Sequence, residues 1–169
     1  MESDRVDEIV AQWHRERPGL DVSGMEVIGR LSRLDRAIRP LLEKVFAQHD
    51  LESWEFDVLA TLLRHGAPHQ LTPGQLMDSV MITSGAMTNR IDRLEQRGLV
   101  AREKNPDDRR QVLVTLTGTG RKKVGAALVD HAANEARIIS ALDSTQRSQF
   151  IEALRVLSLA VAERGDTTS

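Results

Sequence analysis

Residues 71–117 read LTPGQLMDSVMITSGAMTNRIDRLEQRGLVAREKNPDDRRQVLVTLT, and no other part of the chain packs so many positional signals into so few residues. Thr72 followed by Pro73 has the form of a helix start, an N-cap with proline at the first helical position, and Leu76, Met77 and Val80 then recur at helical spacing. This predicts a short helix of about two turns. Thr83 or Ser84 caps a second helix in which Met87, Ile91 and Leu94 share one face, while Thr88, Asn89, Arg90 and Arg93 look elsewhere. Gly98 is placed to close that helix, and Leu99 and Val100 open a strand. NPDDRR reads as a turn. Beyond it Val112, Val114 and Leu116 alternate with Leu113, Thr115 and Thr117, the pattern of a half-buried strand folding back on the first. Two helices with almost no linker, then a hairpin with a basic tip, make a winged helix-turn-helix, an arrangement that sets one helix into a DNA major groove.

The charges agree. Between Thr83 and Lys123 there are ten cations (Arg90, Arg93, Arg97, Arg102, Lys104, Arg109, Arg110, Arg121, Lys122 and Lys123) against five anions (Asp92, Glu95, Glu103, Asp107 and Asp108), a local balance of +5 in a chain whose net charge is −2. One basic segment in a mildly acidic protein gives a directed field. A charge run alone would read equally well as solvated arginines; the ordered elements around it favour nucleic acid.

The segments ITSGAMTNRIDRLEQRGLVARE, DDRR and VTLTGTG, in that order, resemble the MarR family of winged-helix transcription regulators, whose wing carries Asp-x-Arg followed by a strand ending in Leu-Thr. Asp108 to Arg110 and Leu116-Thr117 stand in those places, and the resemblance spans roughly residues 25–163. It implies a mainly α fold: a DNA-binding lobe over residues 51–117, and a helical dimerisation region from residues 21–50 and 118–164. An additional N-terminal helix lies within residues 1–20, and residues 165–169 read as a disordered tail.

The rest of the chain fits that plan. Its 169 residues, 40% apolar, suit one domain with a real core. Zero cysteines exclude a disulfide framework and thiolate metal ligands, and with no signal-like or membrane-spanning apolar run the expected location is cytoplasmic. Residues 3–16 form the first helix, with Val6, Ile9, Val10 and Trp13 on one face and Pro18-Gly19 behind it. After Ser23, apolar residues recur every three or four positions from Met25 to Phe46, about 40 Å of helix, with Pro40 as a kink or local irregularity. That length suggests packing against a second subunit. Ser53 is placed to cap the next helix, which Gly66 ends. A further helix opens at Thr117 or Thr119, and Asp143 with Gln146 has capping-box spacing for the last one. There Leu154, Leu157 and Val161 form a stripe expected to lie between subunits of a homodimer. The alternative is a bundle closed within one chain.

Enzyme chemistry has little to stand on: the five histidines are scattered, and no HExxH, Walker A or GxSxG motif occurs. His65 and His69 are separated by Gly66 and Pro68, which break a helical metal pair, so no metal or cofactor is expected. A winged-helix module that docks on protein instead of DNA is the other alternative; the adjacent guanidiniums of Arg109 and Arg110 argue against it. On the DNA reading Ser84, Thr88, Asn89, Arg90 and Arg93 approach bases and phosphates of double-stranded DNA. Arg110, helped by Arg109, enters the minor groove, with Asp108 holding Arg110 through a charge-assisted pair. Two subunits then read a pseudo-palindrome, and occupancy of a promoter blocks transcription.

A tryptophan in the added first helix (Trp13), an aspartate in the W-x-x-D of the third (Asp57), Arg90 in the recognition helix and Arg102 on the first wing strand together resemble the urate-responsive PecS- and HucR-like subgroup of the family. The resemblance implies that these four form or support a pocket for an anionic purine, with other organic acids or phenolic compounds as the second ligand class. Trp13 by itself reads as a core aromatic. A ligand there would repel Asp57, and Arg102, paired with Asp57, would carry the shift to the recognition helix.

Overall fold

The computed structural model describes residues 3–80, 84–106, 108 and 110–166, and the chain divides into two compact units, Met1–His131 and Ala132–Ser169. The first begins with α1 (Arg5–Glu16), α2 (Ser23–Gln48) and α3 (Ser53–Arg64). It continues with β1 (Gln70–Leu71), α4 (Pro73–Val80), α5 (Ser84–Gln96), β2 (Val100–Lys104) and β3 (Val112–Leu116). The helix α6 (Gly118–Ile138) runs on into the second unit, where a 3-10 turn (Ile139–Ala141) precedes α7 (Ser144–Asp166). No helix among the described residues is long and apolar enough to cross a membrane.

In the first unit the core gathers Phe46 from α2, Val58, Leu59 and Leu62 from α3, Leu76 from α4, Met87, Ile91 and Leu94 from α5, Val114 and Leu116 from β3, and Val124 from α6. The sheet is antiparallel in the order β1-β3-β2, with Leu71 opposite Val114 and Arg102 opposite the same residue from the other side. The hairpin of β2 and β3 is as expected. The third strand is an addition: at two residues, β1 is too short to show an alternation.

Local signals set most element ends. The hydroxyl of Thr72 accepts from the Gln75 amide (3.2 Å) while the Gln75 side chain accepts from the Thr72 amide (2.9 Å), a capping box that starts α4 at Pro73. Gly98, at φ +66°, closes α5, and the Leu99 amide donates back to the Leu94 carbonyl (2.9 Å), a Schellman turn. Thr117 starts α6 by accepting from the Gly120 amide (3.0 Å). Gly120 itself is needed for close approach: a Cβ there would stand 2.0 Å from the Leu99 carbonyl oxygen. The start of α3 departs from expectation, with Glu52 rather than Ser53 as N-cap; the Glu55 carboxylate accepts from the Glu52 amide (2.9 Å).

α1 carries its own capping box, Asp4 with Asp7, and Arg30 of α2 grips both carboxylates. Val6 and Val10 are buried with Val22 in a small separate cluster. Trp13 is 41% exposed, which corrects its reading as a core aromatic: the helix is pinned by valines one and two turns earlier and by Arg30. α2 runs unbroken through Pro40, yet only Val45 and Phe46 along it are buried, and Met25, Ile28, Leu34 and Leu41 are exposed.

The second unit holds the end of α6 and all of α7. Asp143 and Gln146 make the expected reciprocal bonds, Gln146 amide to Asp143 (2.9 Å) and Asp143 amide to Gln146 (3.0 Å). α7 continues to Asp166, so Gly165 and Asp166 belong to helix and not to the tail expected from residue 165. Ile151, Val156, Leu159 and Val161 on it are exposed, and Leu154 and Leu157 are half-buried.

Candidate nucleic-acid interface

The helix α5 has two faces because its sequence has two periodicities. Met87, Ile91 and Leu94 are at most 1% exposed and pin it to the core. Thr88, Asn89 and Arg93 are exposed and Arg90 is half-buried. Ser84 is the first residue of the helix; Thr83 and Arg109 lie outside the described residues.

Arg90 and Arg93, one turn apart, both stand over the indole of Trp54 at the start of α3, with guanidinium carbons 5.4 and 4.7 Å from the ring centroid. The Trp54 indole N–H donates to Glu52 Oε2 (2.7 Å), and the other oxygen of that carboxylate accepts from Arg93. The indole N–H and then Arg93 hold the Glu52 carboxyl below the usual carboxylate range.

At the end of α5 Arg97 spans two acids. Its guanidinium donates to both oxygens of the fully buried Glu55 (2.6 and 2.5 Å) and to the main-chain carbonyl and side chain of Asp50 (2.6 Å each). Lys123 of α6 joins them, donating to Asp50 (3.1 Å) and to the His49 carbonyl (3.0 Å). A hydrogen bond from Lys123, then the fields of Arg97 and Lys123, keep the Asp50 carboxyl low. The cluster ties the ends of α2 and α5 to α6.

Among the described residues, four of the cations counted in the sequence are therefore committed to carboxylates. Arg93 pairs with Glu52, Arg97 with Glu55 and Asp50, Lys123 with Asp50, and Arg102 with both Asp92 and Glu95. The net field is more local than the count implied, weighted towards the exposed tip, where Lys104 and Arg110 stand.

Two expected pairs are not made. Asp108 does not grip the Arg110 guanidinium; its carboxylate accepts from the Arg110 amide (3.0 Å), the short-range bond of an Asx turn, and so shapes the main chain of the tip and leaves the arginine side chain exposed. Arg102 does not reach Asp57. It projects from β2 onto α5, where Asp92 and Glu95 sit three residues apart on the facing surface, and the Arg102 amide donates to Glu95 as well (3.0 Å). The effect is to weld the wing to the reading helix.

Asp57 lines a cavity of about 340 Å³ with Phe56, Ala60, Thr61, Arg64, Ser79 and Val80. Desolvation raises its carboxyl above the ordinary value, against the opposing fields of Arg90, His131 and Arg64. Of the four residues expected at a ligand site, Asp57 lines this cavity; Trp13, Arg90 and Arg102 do not, and Arg90 reaches Asp57 only through its field. The Trp54 cage and the Glu55–Arg97 pair were not anticipated. Each joins residues about forty positions apart, and only the W-x-x-D segment offered a local hint.

The MarR family model matches residues 51–112, from the start of α3 into β3. The chain is 42% identical over 145 residues to the HTH-type transcriptional regulator PecS of Dickeya dadantii, covering 86% of this chain and 87% of that protein. Among solved structures, Sco5413, a MarR family transcriptional regulator from Streptomyces coelicolor, superimposes with a TM-score of 0.71 at 26% identity, covering 85% of this chain and 98% of that one. BpsR of Bordetella bronchiseptica, whose DNA binding is described as regulated by 6-hydroxynicotinic acid, gives 0.71 at 25% identity, covering 83% and 98%. These relatives are transcription regulators and not enzymes. A reading helix backed by a paired wing, the family match over that lobe and the likeness to PecS along most of both chains lead to one conclusion: the chain belongs to the MarR family of winged-helix transcription regulators.

Proposed function

We propose that the chain is a ligand-responsive repressor that binds a pseudo-palindromic operator as a homodimer in the cytoplasm and is released by a small anionic or aromatic effector, urate or another organic anion or phenolic. The observation that carries the reading is the two-faced α5. A fully buried apolar stripe fixes its axis, and Thr88, Asn89, Arg90 and Arg93 supply hydroxyl, amide and guanidinium groups for base edges and phosphates, with Ser84 the proposed contact at the first residue of the helix. The wing, bolted to α5 through Arg102, offers Arg110 to the neighbouring minor groove, where Arg109 is the proposed helper.

The homodimer is supported by helices that carry exposed apolar side chains. Met25, Ile28 and Leu34 of α2, and Ile151, Val156, Leu159 and Val161 of α7, leave more apolar side chain in water than a monomer of this size needs to expose. The effector reading is supported by Asp57: an exposed, only partly desolvated carboxylate that lines a cavity and stands in the field of Arg90 is placed to respond to a second anion. Arg90 belongs to both surfaces, so an effector that draws on it lowers DNA affinity, and the coupling is reciprocal.

Gel-shift titration of genomic fragments at two salt concentrations tests the DNA reading. A discrete complex that weakens steeply with salt is expected; no sequence-preferring complex at low salt would end it. Titrating urate, 6-hydroxynicotinate and salicylate into that complex, in a Trp54→Phe background so that Trp13 alone emits, tests the effector. Failure of all three to release DNA or alter Trp13 emission removes the pocket and leaves the DNA reading standing.

A further inference from the structure

The arginines that the DNA reading assigns to α5 are not held by α5 alone. Arg90 and Arg93 both lie against the Trp54 ring, and the edge of the same ring is fixed by its N–H bond to Glu52, whose second oxygen takes Arg93. Trp54 packs on the core and is half-buried, which gives the ring a rigid seat; Glu52, at the N-cap of α3, is exposed. An indole fixed at its base and its edge is a shelf on which two long cationic side chains lose much of their rotamer freedom before any ligand arrives. The carboxylate is also an anion occupying the guanidinium that a backbone phosphate would need.

We propose that Trp54 is a positioning residue of the DNA-reading surface, stacking Arg90 and Arg93 in the spacing that DNA meets, and that Glu52 is a built-in competitor that phosphate displaces from Arg93. The inference rests on the proposed DNA contacts of these two arginines. It also implies a specificity filter. Swapping Glu52 for a phosphate exchanges one charge-assisted bond for another, so loosely placed DNA gains little from Arg93, and only DNA that docks closely enough to use both stacked guanidiniums gains from the shelf.

The two halves respond oppositely. Replacing Glu52 by glutamine keeps a carbonyl for the indole N–H and removes the competing charge. The E52Q variant should bind both operator and random-sequence DNA more tightly, by roughly two- to fivefold at low salt, and should narrow the ratio between them. Trp54→Leu removes the shelf and should weaken operator binding by roughly two- to tenfold, with the salt slope kept because no cation is lost. Trp54→Phe should restore most of that loss, since the aromatic face and not the N–H carries the stack. Combining Trp54→Leu with Arg93→Gln should cost less than the two changes apart.

The wild-type protein on the same fragments separates the two levels of failure. If it forms no sequence-preferring complex, the DNA reading falls and takes the shelf with it. If it binds, and Trp54→Leu matches it or Trp54→Phe fails to rescue, the positioning role is overturned. The E52Q substitution is at an exposed site and keeps both a carbonyl acceptor and the main-chain amide of the N-cap, so it provides an arm that does not depend on a half-buried ring: unchanged affinity for both DNAs, in a variant whose melting temperature matches the wild type, would remove the competitor.

Discussion

The guanidinium of Arg97 at the end of α5 clasps both carboxylate oxygens of Glu55, a side chain with no exposure to water, at 2.6 and 2.5 Å. A carboxylate taken wholly out of water is tolerated only when its charge and lone pairs are met. Glu55 is met by Arg97 and by the Glu52 amide. The pair therefore sets the junction between α3 and the reading helix, and its removal should be felt in both stability and DNA binding.

Arg97→Ala leaves Glu55 buried without its partner and should lower the unfolding free energy by about 3–5 kcal/mol, read from urea denaturation. Joint replacement, Arg97→Met with Glu55→Leu, should recover a large part of that loss, since an apolar pair has no charge to desolvate. A cost below about 1 kcal/mol for Arg97→Ala would show that the junction is held by the apolar core alone.

Gly120 offers a steric test of the joint between α6 and the sheet. An added methyl would meet the Leu99 carbonyl oxygen at 2.0 Å and Leu116 Cδ1 at 3.0 Å, and the first of these is main chain, which cannot swing aside. Gly120→Ala should destabilise by about 1–3 kcal/mol despite the better helix propensity of alanine, whereas Gly125→Ala in the same helix, where nothing lies within 4 Å, should be neutral or stabilising. Thermal melts of the two variants side by side would decide it. Equal melting temperatures would contradict the close approach.

What the sequence made legible follows from the range of the signals. The starts of α4 and α7, the end of α5 and the alternation of β3 are each written within about six residues, and Thr72, Asp143, Gly98 and Val114 sit where that reading put them. The links among elements are written across long separations: Arg93 with Glu52 and Arg97 with Glu55 join residues 41 and 42 positions apart, which no periodicity reveals. Charge counting falls short for the same reason, because it cannot tell the strut Arg102 from the exposed Arg110 at the tip. Trp13 illustrates the opposite limit. It follows Val6 and Val10 at helical spacing, but in a helix that buries only those two residues a shared face does not amount to burial.

Asp57 gives a pH signature. Desolvation raises its folded-state carboxyl above 3.8, so between that value and its folded pKa the native protein binds more protons than the unfolded chain, and stability falls as pH rises through the window. The contribution is present in full below the window and absent above it. Asp57→Asn removes the titration, so its urea midpoint should gain on the wild type as pH is raised from 3.8 towards neutrality and stay ahead at pH 7. A constant difference across that range would mean that the carboxyl is not strained in the fold.

At the wing, Arg110 is exposed and its main chain is set by Asp108, and its guanidinium makes no ion pair among the described residues, so the side chain is available to a groove. Arg110→Ala should leave the melting temperature within error, weaken operator binding by about 1–3 kcal/mol, and reduce the salt slope by about one unit. Asp108→Ala should act through the turn, weakening binding less and leaving the slope unchanged. Unaltered affinity and slope in Arg110→Ala would take the wing out of recognition.

The assembly can be tested on α7 without touching the DNA-binding lobe. Leu159 and Val161 are 61% and 60% exposed within one chain, so replacing both by lysine removes no buried contact there and should leave the helical circular dichroism of the subunit in place if it folds alone. If these residues meet a second copy, the change buries two charges between subunits instead. Sedimentation velocity at micromolar concentration should then move from about twice the 18.8 kDa chain mass to the single mass, or to unfolded material if the subunit has no stable fold of its own. In either case operator affinity should collapse, since a palindrome read by two helices about 10 bp apart needs them joined. A double variant that still sediments as a dimer would place the subunit contact on another apolar surface, of which the exposed Met25, Ile28 and Leu34 of α2 are the nearest in kind.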